Sequence, residues 1–383
     1  MKKIVIAVDS FKGCLPSPAI AEAASAGIQT VFPSCQIVKI PFADGGEGTV
    51  QVLTQATNGQ LITTTVNNPL MEPIEATYGI LGDQRTAIIE MAAASGLTLI
   101  PREWGNVMHT TTYGTGQLIA HAIKHGCQNI LLGIGGSATN DAGLGLLQAL
   151  GFRLLDESGN ELGQGGKMMI RVAKIEANNI LPELSTCTFR VMTDVNNPFS
   201  GPDGAAWVFG TQKGGNQTQL KRLDKGMKHL AQLILETTGR DIDNMPGAGA
   251  GGGTAGGCVG LLGATISQGS EVIKDYIDFD NLVSGADLLI TGEGKMDAQT
   301  LQEKAPLSVL HTGIKQHIPV IAITGNIGRQ NNELLMNAGF SAIFPILSQP
   351  TSLAEAIQPE RSYYQIQRTV EQICRAIRLG EGG

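Results

Sequence analysis

The sequence predicts an α/β protein built on a doubly wound, mostly parallel sheet of Rossmann or flavodoxin type, with a second α/β domain inserted into it. Three observations carry that expectation. Short β-branched runs such as "KIVIAV" at 3–8 are of the kind buried on both faces of a parallel sheet. Near both termini such runs alternate with helix-spaced stretches, the rhythm of strand–helix–strand crossovers. The middle of the chain breaks that rhythm with a hairpin pattern and two glycine-rich segments.

Taken in order, "KIVIAVD" is the first strand and is followed by a helix. Ser17 reads as its N-cap with Pro18 at the first helical position, and Ile20, Ala24, Ile28 and Val31 keep helical spacing. "CQIVKIPFADGG" supplies the next strand. "PIEATYGIL" and "TAIIEMA", separated by the polar "GDQR", read as a hairpin. "TGQLIAHAIKHG" is a helix closed by Gly126, "NILLGIGG" a strand, and 218–237 a long amphipathic helix. The final third alternates again: "ADLLITGEGKMD", a helix near 305–316, "IPVIAITGN", a helix near 331–338, then "SAIFPIL". The expected organisation is a discontinuous domain of 1–65 and 285–383, with 66–284 inserted and the active site in the cleft between the two.

Composition narrows the function classes. Glycine is the outlier at 50 of 383 residues, aromatics make up 4%, and so the core must rest on Ala, Val, Ile and Leu. A formal net charge of −7 argues against a nucleic-acid-binding face. The six cysteines form no C-x-x-C pair and read as reduced thiols in a cytoplasmic protein. No run approaches the length of a membrane span, so no membrane partner is expected. No heptad or long apolar stripe announces an oligomer, and a homo-oligomer stays open.

Strand ends carry the candidate chemistry. Asp9 and Ser10 follow "IVIAV"; Asp44, Gly45, Gly46 and Glu47 follow "VKIPFA"; "TGEGK" follows "DLLI"; "TGN" follows "VIAI". In open α/β sheets ligands sit outside the carboxyl ends of the strands. The middle region adds "GIGGSATNDAGLG", Asp194 after "VM", and "GAGAGGGTAGG" at 247–257, in which glycine predominates. Glycine-rich turns and a set of carboxylates suit a polyphosphate with its Mg2+, backbone amides for phosphate and Asp for metal. No G-x-x-x-x-G-K-[ST] loop is present, and the G-x-G-x-x-G at 247, 249 and 252 follows no convincing strand. His121 and His125 have the spacing of a metal pair, but a solvated helix face explains both.

"DSFKG", "PFADGGEGT", "GGSATNDAG", "DVNNPF", "GAGAGGGTAGG" and "TGEGKMD", in that order, closely resemble the class I glycerate kinase family over nearly the whole chain. The resemblance implies a two-domain α/β enzyme that moves the γ-phosphoryl of ATP to D-glycerate with Mg2+, giving 2-phosphoglycerate or 3-phosphoglycerate. Combined with the residue reading, it sets expected roles. Asp194, Lys295 and Lys12 are catalytic, with Asp194 as general base. Ser10, Asp44, Gly45, Gly46, Glu47 and Asn140 hold substrate. Gly135, Gly136, Ser137, Gly249, Gly251, Gly252 and Gly253 hold the nucleotide, and Asp194 and Asp297 the metal. The alternatives are a kinase for another small hydroxy acid, or a non-catalytic nucleotide or metabolite binder on the same scaffold.

Overall fold

A computed structural model of the chain describes residues 1–40, 42, 46, 48–101, 106–301, 305–328 and 332–380. Among these residues the strands are β1 (Lys3–Val8), β2 (Gln36–Lys39), β3 (Gln60–Asn67), β4 (Pro73–Ile80), β5 (Thr86–Glu90), β6 (Asn129–Gly133), β7 (Arg153–Leu155), β8 (Lys174–Glu176), β9 (Thr188–Met192), β10 (Thr265–Ser267), β11 (Leu288–Met296), β12 (Val320–Ile327) and β13 (Ala342–Pro345). The chain divides into two compact units, one of 1–44 with 270–383 and one of 45–269. The sheets are mostly parallel and flanked by helices, as the alternating pattern predicts.

In the first unit all pairings are parallel and the strand order is β13-β12-β11-β1-β2. Counted within the unit, that is the order 2-1-3-4-5 of flavodoxin-like folds, which places a topological switch point between β1 and β11. Alternate residues serve opposite faces. Ile4, Ile6, Val8, Leu288 and Ile290 join one apolar cluster with Ile20 and Ile28 of the helix Ser17–Val31 and Ile366 and Val370 of the helix Pro359–Gly380. The other face meets the helix Ala305–Gln316 so closely that a Cβ on Gly313 would lie 2.3 Å from the Val320 side chain.

Two local features differ from the sequence expectation. Ser17 is inside its helix and Pro16 is the N-cap. The Ser17 hydroxyl donates to the Val8 carbonyl at 2.7 Å and accepts from the Phe42 amide at 3.0 Å, so it ties the helix to the strand ends instead of capping. The segments "TGEGKM" and "TGN" are also not loops. They are the last residues of β11 and β12, paired in register as Glu293 with Thr324 and Lys295 with Asn326.

The second unit holds a six-stranded sheet in the order β10-β9-β6-β5-β4-β3 and a small antiparallel pair, β7 with β8. β3, β4 and β5 are antiparallel, and β5, β6, β9 and β10 run parallel. The predicted β4–β5 hairpin forms, its turn fixed by Asp83, which accepts from the Arg85 and Thr86 amides at 2.9 Å each. The long helix runs from Gln217 to Thr238, opened by an Asn216–Gln219 capping box and closed by Gly239.

The glycine tract at 247–257 lies in the interior of this unit. Gly249, Gly252, Gly253, Gly256 and Gly257 are buried, and a Cβ on Gly252 would fall 2.0 Å from the Thr139 carbonyl oxygen. Gly252 also sits at φ +70°, a conformation unfavourable for side chains. Gly252→Ala is therefore expected to destabilise the chain by about 3 kcal/mol or more, since overpacking adds to backbone strain. Gly239→Ala, at φ +74° with open space around it, should cost only about 1 kcal/mol. Urea denaturation of the two variants checks the difference; equal costs would mean that the tract is not close-packed.

Candidate active site

The ends of β1 and β11, on either side of the switch point, open into a cavity of 730 Å³ within the first unit. After β1 the chain makes a tight loop in which the Phe11 and Leu15 backbones bond to each other, at 2.9 and 3.1 Å. Both side chains are buried in the apolar cluster, which leaves Lys12 exposed at the loop's tip. On the neighbouring strand Glu293, Lys295 and Asp297 face the same cavity, as do Asp9 and Ser10.

This wall mixes two cations with three carboxylates. Lys295 and Asp297 form an ion pair at 2.9 Å with the lysine side chain 65% exposed, and the pairing lifts the Lys295 ammonium above the usual lysine range. The buried Thr300 hydroxyl donates to Glu293 at 2.6 Å and accepts from the Asp297 amide at 2.9 Å, so one threonine sets both acids. Asp9 accepts from the Ser10 amide at 2.6 Å. Of the residues expected from sequence, Ser10, Lys12, Lys295 and Asp297 thus come together. Asp44, Gly45 and Glu47 lie outside the described residues.

The remaining expected residues belong to the second unit. Asp194 follows β9, is half-buried, and accepts from the Gly269 amide at 3.4 Å. Gly135 and Gly136 follow β6 and are exposed, and a Cβ added to Gly135 would lie 3.5 Å from the Gly46 Cα. Ser137 is buried behind them. Asn140 is fully buried, its amide turned onto the Met227 sulfur at 3.4 Å. Gly249, Gly252 and Gly253 are interior and Gly251 is half-buried; the Gly249 and Gly253 amides donate to the Asn197 and Gly249 carbonyls.

One cation behind this loop is not predicted by the sequence. Lys213 is 4% exposed, and its ammonium donates to the Ser137 hydroxyl at 2.8 Å and the Thr139 carbonyl at 2.6 Å. In "GTQKGG" it looks like an ordinary turn lysine, and nothing local signals burial. Burial pushes its pKa down to about 7, against the pull of the Asp141 carboxyl, whose own pKa is raised by burial. Asp141 accepts from the Thr112 amide at 2.8 Å and the Thr112 hydroxyl at 3.0 Å.

The linkage has a definite sign. In the unfolded chain Lys213 keeps its ordinary pKa of 10.5, so between about pH 7 and 10 the unfolded state holds a proton that the folded state lacks. Stability from this residue therefore rises with pH across that window, and its cost is complete below pH 7. The melting temperature of Lys213→Met relative to the parent should be more favourable at pH 6 than at pH 9, by the equivalent of about one to a few kcal/mol. A relative advantage that grows with pH would overturn this account.

The Glycerate kinase family model matches residues 4–378 of the chain. The chain belongs to the glycerate kinase family. It is 43% identical to a Bacillus subtilis glycerate kinase over 99% of this chain and 98% of that one. It is 40% identical to the Escherichia coli glycerate 2-kinase over the same shares. A crystal structure from Salmonella typhimurium LT2, of a chain assigned as glycerate kinase 2, is 37% identical, with a TM-score of 0.88 and complete coverage of both chains. The family is one of phosphotransferases with an alcohol acceptor, and membership implies ATP as donor. No helix among the described residues is long and apolar enough to cross a membrane.

Within this family frame, His121 and His125 find local explanations. The Tyr78 hydroxyl lies 3.0 Å from His121 Nδ1, and the two imidazoles stack at 4.3 Å. Among the described residues no group of three or more His, Cys, Asp and Glu is placed to hold a metal ion.

Proposed function

We propose that the chain phosphorylates D-glycerate at the 2-hydroxyl, using ATP and Mg2+ and releasing 2-phosphoglycerate and ADP. The carrying observation is the cavity at the β1–β11 switch point, where Lys12 and Lys295 stand among Asp9, Glu293 and Asp297. The choice of the 2-hydroxyl is supported by the name of the Escherichia coli relative. Phosphoryl transfer asks a protein mainly for positioning and charge neutralisation, and a wall of this kind supplies both.

Asp194 is assigned as the general base that takes the proton of the attacking glycerate hydroxyl. Lys12 and Lys295 offset charge on the transferring phosphoryl group and on the glycerate carboxylate. The exposed amides of Gly135 and Gly136 are assigned to phosphate; the tract at 247–257 is assigned to shaping the interior behind them. The carboxylate donors fit Mg2+, which is usually held by one or two carboxylates with phosphate oxygens and water completing its shell. Asp297 would hold it, and when bound it neutralises phosphate charge. Cytoplasmic residence is part of the same proposal.

Phosphorus NMR of the product formed from ATP and D-glycerate tests this reading directly. A 2-phosphate resonance is expected. A 3-phosphate would overturn the assigned hydroxyl, and turnover of tartronate in preference to glycerate would overturn the acceptor.

A further inference from the structure

The cavity at the switch point has a second wall that the charge chemistry does not use. Residues 346–357 bring Ile346, Leu347, Pro350, Leu353, Ala356 and Ile357 to it. Leu353 is 77% exposed and Ile357 40%, although both are apolar and line a concave site. The segment is built, not slack. Ser352 and Glu355 form a capping box, Arg361 donates to the Thr351 hydroxyl at 3.2 Å, and the Ser362 hydroxyl donates to the Ala356 carbonyl at 2.8 Å. Cys14, in the loop that carries Lys12, donates to Ser362 at 3.0 Å, which joins the apolar segment to the charged loop.

We infer that this apolar wall is the subsite for the base of the nucleotide, with the phosphate chain running toward Lys12 and Lys295. The inference rests on the kinase reading above and adds where the donor's base lies. Charge and shape favour this occupant. A three-carbon acid has a carboxylate and hydroxyls at every position and no apolar face to set against Leu353 and Ile357. It is also far smaller than a cavity of 730 Å³. In sheet order β12 separates β11 from β13, after which the apolar segment begins, so the two walls originate about 10 Å apart. A nucleotide has the matching asymmetry, with a flat apolar base at one end and anionic phosphates at the other. Exposed apolar side chains in a concave site mark ligand surfaces.

The test uses Leu353→Asp and Ile357→Asp in the full chain. Both side chains are exposed, so folding should hold, and melting temperature serves as the control. The KM for ATP should rise about tenfold, the worth of one apolar side chain packed on a ligand. The KM for glycerate and inhibition by inorganic tripolyphosphate, which has no base, should change less than twofold. Binding of a fluorescent N-methylanthraniloyl-ADP should weaken in parallel, a readout that needs no turnover.

An unchanged KM for ATP with unchanged nucleotide binding would overturn the base subsite while leaving the kinase reading intact. So would a rise confined to the KM for glycerate, or a loss of self-association in sedimentation with nucleotide binding unaltered. A parent protein that binds the labelled ADP through Leu353 but phosphorylates no hydroxy acid would instead overturn the kinase reading alone.

Discussion

Replacing Asp194 by asparagine is expected to lower kcat roughly 10²- to 10⁴-fold, the usual worth of a general base. The substitution keeps the side chain's size and leaves an oxygen to accept from the Gly269 amide, so the melting temperature should stay near that of the parent. A base also has a signature in pH. The parent's kcat should fall on the acid side as the carboxylate takes up a proton, and the variant should lose that limb, because an amide does not titrate in the range. If the loss of rate were instead recovered by raising the Mg2+ concentration, Asp194 would be a metal ligand and not the base. Near-normal turnover would remove it from both roles.

Lys295→Ala is expected to cost about 10²–10³ in kcat, comparable with removing one donor from a site of developing negative charge. Lys295 is 65% exposed and paired with Asp297, and its raised pKa keeps it cationic throughout the neutral range. Exposed ion pairs add little to folding, so a pair that is merely on the surface predicts little change in any assay. The catalytic explanation predicts a large fall in rate with an almost unaltered melting temperature. Lys295→Arg, which keeps the charge but not the compact ammonium, should recover part of the loss. A large drop in thermal stability on Lys295→Ala, with kcat preserved, would make the pair architectural.

Legibility differed from element to element. β1 and β6 were plain because buried parallel strands are short continuous apolar runs, and the helix Gln217–Thr238 because it alternates apolar and polar faces over six turns' length. The extension of β11 and β12 through "TGEGKM" and "TGN" was not plain. Gly, Thr and Asn are turn residues by local preference, and only the neighbouring parallel strand supplies the hydrogen bonds that hold them extended. The cap of the first helix is illegible in the sequence for a similar reason. Ser17 has a capping side chain, but Val8 and Phe42, which compete for its hydroxyl, are distant in sequence.

The sequence by itself determined the alternating α/β plan, the family, and the set of acids and lysines at the ends of β1 and β11, because those depend on residue type and order along the chain. Tertiary structure alone decided which strands adjoin, and with that the switch point where Lys12 and Lys295 meet one cavity. It also decided that the glycine tract serves close packing, since the absence of a Cβ is equally useful beside a phosphate or beside the Thr139 carbonyl. The same holds for Lys213, whose near-neutral titration arises from burial. Burial and proximity are sums over residues far apart in the chain, so no local reading of the sequence contains them.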